Sequence, residues 1–329
     1  MSTISRLKDI SVADMTALWI VLTSVVLLIA VVYIVISFSL FNFAIVRKDR
    51  DTTFTPEALT ELGAGEYTDE IINAQNELDN EGLEIVEATS FDGLKLKAFL
   101  YRAPEPKGTI ILFHGYRSAP SCDFCIAKKF YAEQGLNVLM PYERAHGMSE
   151  GQYITFGIKE RFDVHTWTDI INNSFGYQLP LFLSGLSMGS ATVLMSTERD
   201  YPDNVKLIIA DCGFTSPIDI FEHVVKTTMK IPFKLFIPVF GLLCKKKAGF
   251  DVNELSTVDA LKNCKIPVFF IHGEADTYVP MEMTLRSYEA CASEKYLHTV
   301  PEAQHALSFV VDSGEYKATI RRLISRFIE

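Results

Sequence analysis

The sequence predicts an α/β protein: a mostly parallel sheet of eight strands with helices on both faces, a small helical cap insertion and an N-terminal transmembrane helix. Three observations carry this. From residue 109 onward, short apolar runs alternate with helix-compatible stretches, the pattern of parallel strands buried on both faces. Ahead of them, two stretches of alternating polarity flank Phe91-Asp92-Gly93. Residues 16–46 contain no charged side chain.

The charge-free run comes first in chain order. About twenty apolar residues cross a bilayer, so 16–46 suffices even for a tilted helix. A cleaved signal peptide would have an apolar core of roughly 7–15 residues before a small-x-small site. Here the run is longer and ends in Ala44-Ile45-Val46-Arg47-Lys48 without such a site. The expectation is a tail over 1–15 and a retained single-pass anchor over 16–46. A buried core helix is disfavoured, because nothing charged marks a solvent face. Arg6 and Lys8 precede the run and Arg47, Lys48 and Arg50 follow it. The positive-inside rule therefore leans to a cytoplasmic C-terminal domain, by a margin that leaves the side open.

Residues 47–82 are polar and acidic and read as a linker with one short helix near 69–78. A domain over 83–329 follows. Residues 83–90 and 94–102 form a hairpin turning at Asp92-Gly93. Further strands are expected at 109–113, 137–140, 179–184, 205–210, 267–271 and 296–300. Helices are expected near 124–134, 162–172, 191–197 and 281–292. More than fifty residues separate the strands at 210 and 267, and about 214–256 reads as a helical cap rich in Phe, Val, Ile, Leu and Lys. Such a composition suits either packing on the domain or contact with lipid headgroups.

Net charge is -10, which argues against a nucleic-acid partner. Six cysteines are scattered without the spacing of a disulfide framework. Cys122-x-x-Cys125 resembles half of a redox or zinc motif, but no second Cys/His pair completes it. Both are expected on one helix, in ordinary packing.

The most informative stretch is Gly185-Leu186-Ser187-Met188-Gly189, directly after an apolar strand and before a helix. That is the context of a nucleophile elbow: glycines where the backbone bends tightly, and a serine hydroxyl lifted clear of the sheet. A serine needs a base to take its proton and an acid to orient the base. Behind such an elbow the partners follow in the order acid, then histidine. His223 falls in the cap, His298 in the last strand, and His272 ahead of the best acid. His305, in the loop after the final strand, is the expected base. For the acid, Asp276 has better spacing from its strand end than Glu274, while Asp211 at the preceding strand end is a rival. The oxyanion donors are expected to be the backbone N–H groups of Met188 and of Tyr116, in the loop His114-Gly115-Tyr116. His114 and Arg144-Ala145-His146-Gly147 read as structural turns. No metal or other cofactor is implied.

Together His114-Gly115-Tyr116, Arg144-Ala145-His146-Gly147-Met148-Ser149-Glu150-Gly151, Gly185-Leu186-Ser187-Met188-Gly189, His272-Gly273-Glu274-Ala275-Asp276 and His305 resemble the α/β-hydrolase superfamily over about residues 83–329. More narrowly they resemble bacterial membrane-anchored serine esterases, grouped with serine aminopeptidases and monoglyceride lipases. Ala145 departs from the usual Arg-Gly-His-Gly and is expected to alter a turn, not the chemistry. The resemblance implies a serine hydrolase of the carboxylesterase type, EC 3.1.1, acting on a small-molecule or lipid ester and held to the membrane by its N-terminal helix. The alternative is a peptidase of the aminopeptidase or acyl-peptidase type. Its cap would need a site for a substrate terminus, and this cap has Glu222 and several lysines but no acidic cluster. A non-catalytic binding protein is disfavoured by the presence of all three triad residues. Acyl length, leaving group and oligomeric state lie beyond the motifs.

Overall fold

The computed structural model describes residues 12–49 and 52–328. The expected tail over 1–15 lies outside them as far as residue 11, and so do the cations Arg6, Lys8 and Arg50. Helix α1 (Val12–Ala44) is 33 residues long, about 50 Å. It is long and apolar enough to cross a membrane. Its first part stands away from the other described residues, with Trp19 and Leu28 each 64% exposed. Its last part is docked, and Ser37, Leu40, Phe41 and Ile45 are buried. A short bridge between Val46 and Tyr153 fastens the end: Arg47 N donates to Gln152 O at 2.8 Å, and Ile154 N to Ile45 O at 2.8 Å.

The linker expected over 47–82, with its short helix near 69–78, packs on the domain. It holds α2 (Pro56–Glu61), started by Pro56 and capped by Thr55, and α3 (Thr68–Asn80). Leu59, Ile71 and Leu78 enter the main core. Gln75, two percent exposed, accepts from Phe54 N at 2.9 Å and donates to Thr52 O at 2.9 Å. Ile71, Gln75 and Leu78 form one stripe at helical spacing. A glutamine in its middle hides that stripe in the sequence.

The hairpin forms as expected, β1 (Glu84–Thr89) against β2 (Lys95–Tyr101), with Thr89 opposite Lys95. Next come β3 (Gly108–Phe113), α4 (Pro120–Asp123), α5 (Cys125–Glu133), β4 (Leu136–Pro141), α6 (Glu160–Phe175), β5 (Leu181–Leu186), α7 (Met188–Met195) and β6 (Val205–Asp211). The single helix expected through Cys122 and Cys125 is thus broken at Phe124, which takes φ -123°, ψ 12°. The break buries Phe124 and leaves Asp123 facing the Gly115 loop. Burial pushes both thiols up to about 12, so they stay protonated and inert.

The cap segment carries α8 (Pro217–Val224) and α9 (Ile237–Leu243). Ser216 caps α8 by accepting from Asp219 N, and Pro217 supplies the first helical residue. Phe221, Phe233 and Phe240 pack edge to face in one cluster with Leu40 and Phe41 of α1. The chain closes with α10 (Thr257–Leu261), β7 (Val268–Gly273), α11 (Met281–Ala290), β8 (Lys295–Val300), α12 (Ser308–Val311) and α13 (Ser313–Ile328).

The eight strands form one sheet in the order β1-β2-β4-β3-β5-β6-β7-β8, parallel from β4 to β8. Side chains alternate between two layers. Ile110 and Leu112 meet Phe130 and Ile320 on one face, while Ile111 and Phe113 meet Trp167 and Val193 on the other. Because β3 has β4 on one side and β5 on the other, the connections leaving β3 and β5 diverge. Their loops open a crevice at the carboxyl ends of these strands, where open α/β sheets bind ligands.

Candidate active site

At the end of β5 the chain turns sharply into α7. Ser187 sits at φ 55°, ψ -110°, a conformation that costs a non-glycine residue of order 1–3 kcal/mol. Its neighbours hold it there: Ser187 N donates to Asp211 O at 2.9 Å, and Ser187 O accepts from Ala191 N at 3.0 Å. The flanking glycines are required by contact. A Cβ on Gly185 would lie 2.2 Å from Gly189 O, and one on Gly189 would lie 1.9 Å from Phe113 O.

The structure brings Ser187, His305 and Asp276 together. His305 Nε2 lies 2.9 Å from Ser187 Oγ, and His305 Nδ1 lies 2.7 Å from Asp276 Oδ2. An ionised carboxylate only accepts, so Nδ1 carries the proton and Nε2 presents its lone pair to the serine hydroxyl. Asp276 is held from both ends. Its Oδ1 accepts from Tyr278 N and Val279 N, each at 2.9 Å, and its Oδ2 also faces His272 Nε2 at 3.2 Å. Burial of Asp276 favours the neutral acid, but the hydrogen bonds from His272 and His305 and the charge of His305 outweigh it. The carboxyl stays well below the usual carboxylate range.

His272 is a member of this cluster that the sequence reading passed over. It is fully buried; Nε2 donates to Val279 O at 2.9 Å, so Nδ1 is left to accept from the Thr284 hydroxyl at 2.7 Å. Its place four residues before Asp276 was the available signal. The rival acids sit elsewhere. Asp211 Oδ2 accepts from the Tyr316 hydroxyl at 3.1 Å, and burial pushes its carboxyl up. Glu274 accepts from Thr299 Oγ1. His223 and His298 bond to Thr277 O and Asp312. Cys212, Asp276 and His305 offer three ligand-type atoms within 4.8 Å of one another. The Cys212 thiol is pushed well up by burial, and the other two residues already bond to each other, which makes a poor metal set.

Opposite the elbow stands the loop after β3. A Cβ on Gly115 would lie 3.6 Å from Ser187 Cβ, so Gly115 and Tyr116 border the serine. Asp123, which no motif flagged, accepts from Gly115 N at 2.6 Å and from Ser118 Oγ. His146 Nε2 accepts from Arg117 N at 2.9 Å, and His114 Nε2 from Glu143 N at 3.0 Å. Burial, with His146 alongside, depresses His114 to about 3; burial depresses His146 to about 4. Both are neutral acceptors that buttress the loop. Ala145 takes φ 61°, the left-handed turn its glycine counterpart would adopt. Met188 opens α7, so its N–H has no partner within the helix.

The fold has relatives among solved structures. The Pyrococcus furiosus esterase Pf2001 superposes with a TM-score of 0.63 at 23% identity, over 77% of this chain and 96% of that one. The family model described as "Serine aminopeptidase, S33" matches residues 104–244. The fold of this chain is that of the α/β-hydrolase superfamily. Relatives of this hydrolase include the Bacillus subtilis protein YqkD, 26% identical over 78% of this chain and 87% of that protein. Protein bem46 of Schizosaccharomyces pombe is 25% identical, over 68% of this hydrolase and 70% of its own length.

Proposed function

We propose that this hydrolase cleaves carboxylic esters through an acyl-enzyme on Ser187. The observation that carries the reading is the unbroken hydrogen-bond chain from Ser187 Oγ through His305 to Asp276. Ser187 Oγ attacks the ester carbonyl while its proton passes to His305 Nε2. Asp276 holds the imidazolium in place. The developing oxyanion is met by the backbone N–H groups of Met188 and Tyr116. His305 then gives its proton to the departing alkoxide, releasing the alcohol. Water, deprotonated in turn by His305, splits the acyl-enzyme to the acid and restores Ser187.

The ester reading is favoured over the peptidase one by the cap. A terminus-binding site needs free charges, and Glu222, 3.1 Å from Lys234, already has a counter-ion. The apolar cap and α1 favour a medium-chain or lipid-derived acyl group. α1 is a single-pass membrane anchor in this reading, and Arg47, Lys48 and Arg50 behind it favour a cytoplasmic catalytic domain.

The test uses the full chain in phosphatidylcholine nanodiscs. Turnover of p-nitrophenyl esters from acetate to palmitate is compared with that of aminoacyl-p-nitroanilides, with Ser187→Ala as control. Ester turnover abolished by Ser187→Ala is the expected result. Anilide turnover without ester preference transfers the assignment to the peptidase, and silence on both removes the triad reading.

A further inference from the structure

α1 does more than hold the domain at a surface. A cavity lies between the end of α1, the cap and the loop after β3, walled by Leu40, Phe43 and Ala44 on one side and Phe221, Val225 and Phe240 on the other. Tyr116 and Tyr278 close its inner end. That end meets the candidate active site: Tyr116 follows Gly115 beside Ser187, and the Tyr278 ring lies 5.0 Å from the His305 ring. The loop is also tied to α1, since the Tyr116 hydroxyl donates to Ala44 O at 2.9 Å and the Arg117 guanidinium to Val46 O at 3.2 Å.

Beyond the cavity, one turn and more back along α1, the cap stays packed on the helix. The Tyr33 hydroxyl donates to Leu235 O at 2.7 Å, and the Tyr33 ring stacks on Phe236 at 5.2 Å. From Met15 to Tyr33 the helix rises about 27 Å, close to the thickness of a hydrocarbon core. The cap therefore meets the helix where it leaves that core. There the cap exposes Leu235 and Leu242 beside α1, and Lys247 Nζ sits 5.3 Å over the Phe38 ring. An apolar face with a basic rim suits the boundary between acyl chains and headgroups.

We propose that α1 is one wall of the acyl site, and that the acyl chain of a bilayer-resident lipid ester enters along it directly from the membrane. This rests on the ester-hydrolase reading and names its substrate class. A chain following this path stays in apolar surroundings throughout, whereas a route through water exposes each methylene. The cavity's volume is about 40 Å³, and aromatic rings make up much of its wall. A chain is admitted when these rings turn aside and α9 lifts from α1.

The experiment uses full-length protein in phosphatidylcholine nanodiscs and two fluorophosphonates: an ethyl ester, and a decyl ester with a diazirine in mid-chain. Both label Ser187, and irradiation of the decyl adduct crosslinks it to residues 36–46 and to the cap. Ala44→Trp, which fills the cavity from the α1 side, lowers the decyl-to-ethyl ratio of labelling rates at least tenfold. Leu28→Ala, on the exposed stretch of the same helix, keeps the wild-type ratio. Labelling of Ser187 by both probes with no crosslink to 36–46 overturns the wall and leaves the ester reading standing. Should Ala44→Trp fold poorly, the wild-type crosslink map decides alone. Labelling by neither probe removes the triad reading, and this inference with it.

Discussion

Asp276→Asn is the sharpest perturbation of the site, because the two ends of this carboxylate are bound differently. Oδ1 accepts two backbone N–H groups, from Tyr278 and Val279, while Oδ2 faces His305 Nδ1 and His272 Nε2. An asparagine has one oxygen to share. With that oxygen toward His305, its NH₂ opposes two buried backbone donors, at about 1–3 kcal/mol for each donor left unsatisfied. The lower-cost orientation keeps the oxygen on Tyr278 N and Val279 N and turns the NH₂ toward His305. His305 Nδ1 must then accept, which places the ring proton on Nε2, facing Ser187 as a donor. A base with its proton already in that position cannot take one from the serine. The expected loss in kcat/KM is about 10⁴-fold, or roughly 5 kcal/mol of transition-state stabilisation. The assay is p-nitrophenyl butyrate hydrolysis by full-length protein in nanodiscs, with thermal unfolding as a check on the fold. Asp211→Asn runs in parallel and is expected to cost under tenfold. A small loss at Asp276 with a large one at Asp211 would refute the tautomer argument.

Three other outcomes are expected. Gly189→Ala places a methyl 1.9 Å from Phe113 O, so the elbow must shift; fluorophosphonate labelling of Ser187 should fall at least a hundredfold, and near wild-type labelling would contradict the close approach. His114 and His146 have folded pKa values below the unfolded value of about 6.5, so their contribution is fully present above pH 6.5 and lost as pH falls towards 4 and 3. Between pH 6.5 and 5 each should cost about 1.6 kcal/mol, and the imidazole carbon shifts of both rings should stay those of the neutral form down to pH 5; protonation midpoints near 6.5 would show these rings are not buried neutral. Arg47→Ala removes the guanidinium bonds to Ser149 O and Gly147 O, each 2.7 Å, and should raise protease cleavage near residue 47 in nanodiscs; unchanged cleavage would mean the α1 end is held without it.

The elements legible in the chain were those that repeat a local rule. Fully buried β3, β4 and β7 read as apolar runs, and the hairpin at Asp92-Gly93 as an alternation with a turn. Gly185 and Gly189 announced the elbow because a tight backbone crossing excludes every Cβ. Helices α2 and α3 were not legible as part of the domain: Gln75 takes a core position and satisfies its amide there, so the stripe lacks apolar contrast. Asp123 was hidden for a related reason, since its role is to hold the Gly115 loop from a helix eight residues away.

By itself, then, the sequence determined the strand-and-helix alternation, the length and apolarity of α1, and the placing of a serine, rival acids and a histidine just after strand ends. All of these follow from spacing along the backbone, where steric rules act over a few residues. Only the tertiary structure decided that Asp276 and not Asp211 meets His305, that His272 backs the same carboxylate, and that the end of α1 is docked against the cap and the loop after β3. Those choices depend on which buried groups find partners in elements far apart in the chain, as Ala44 and Tyr116 do across seventy-two positions.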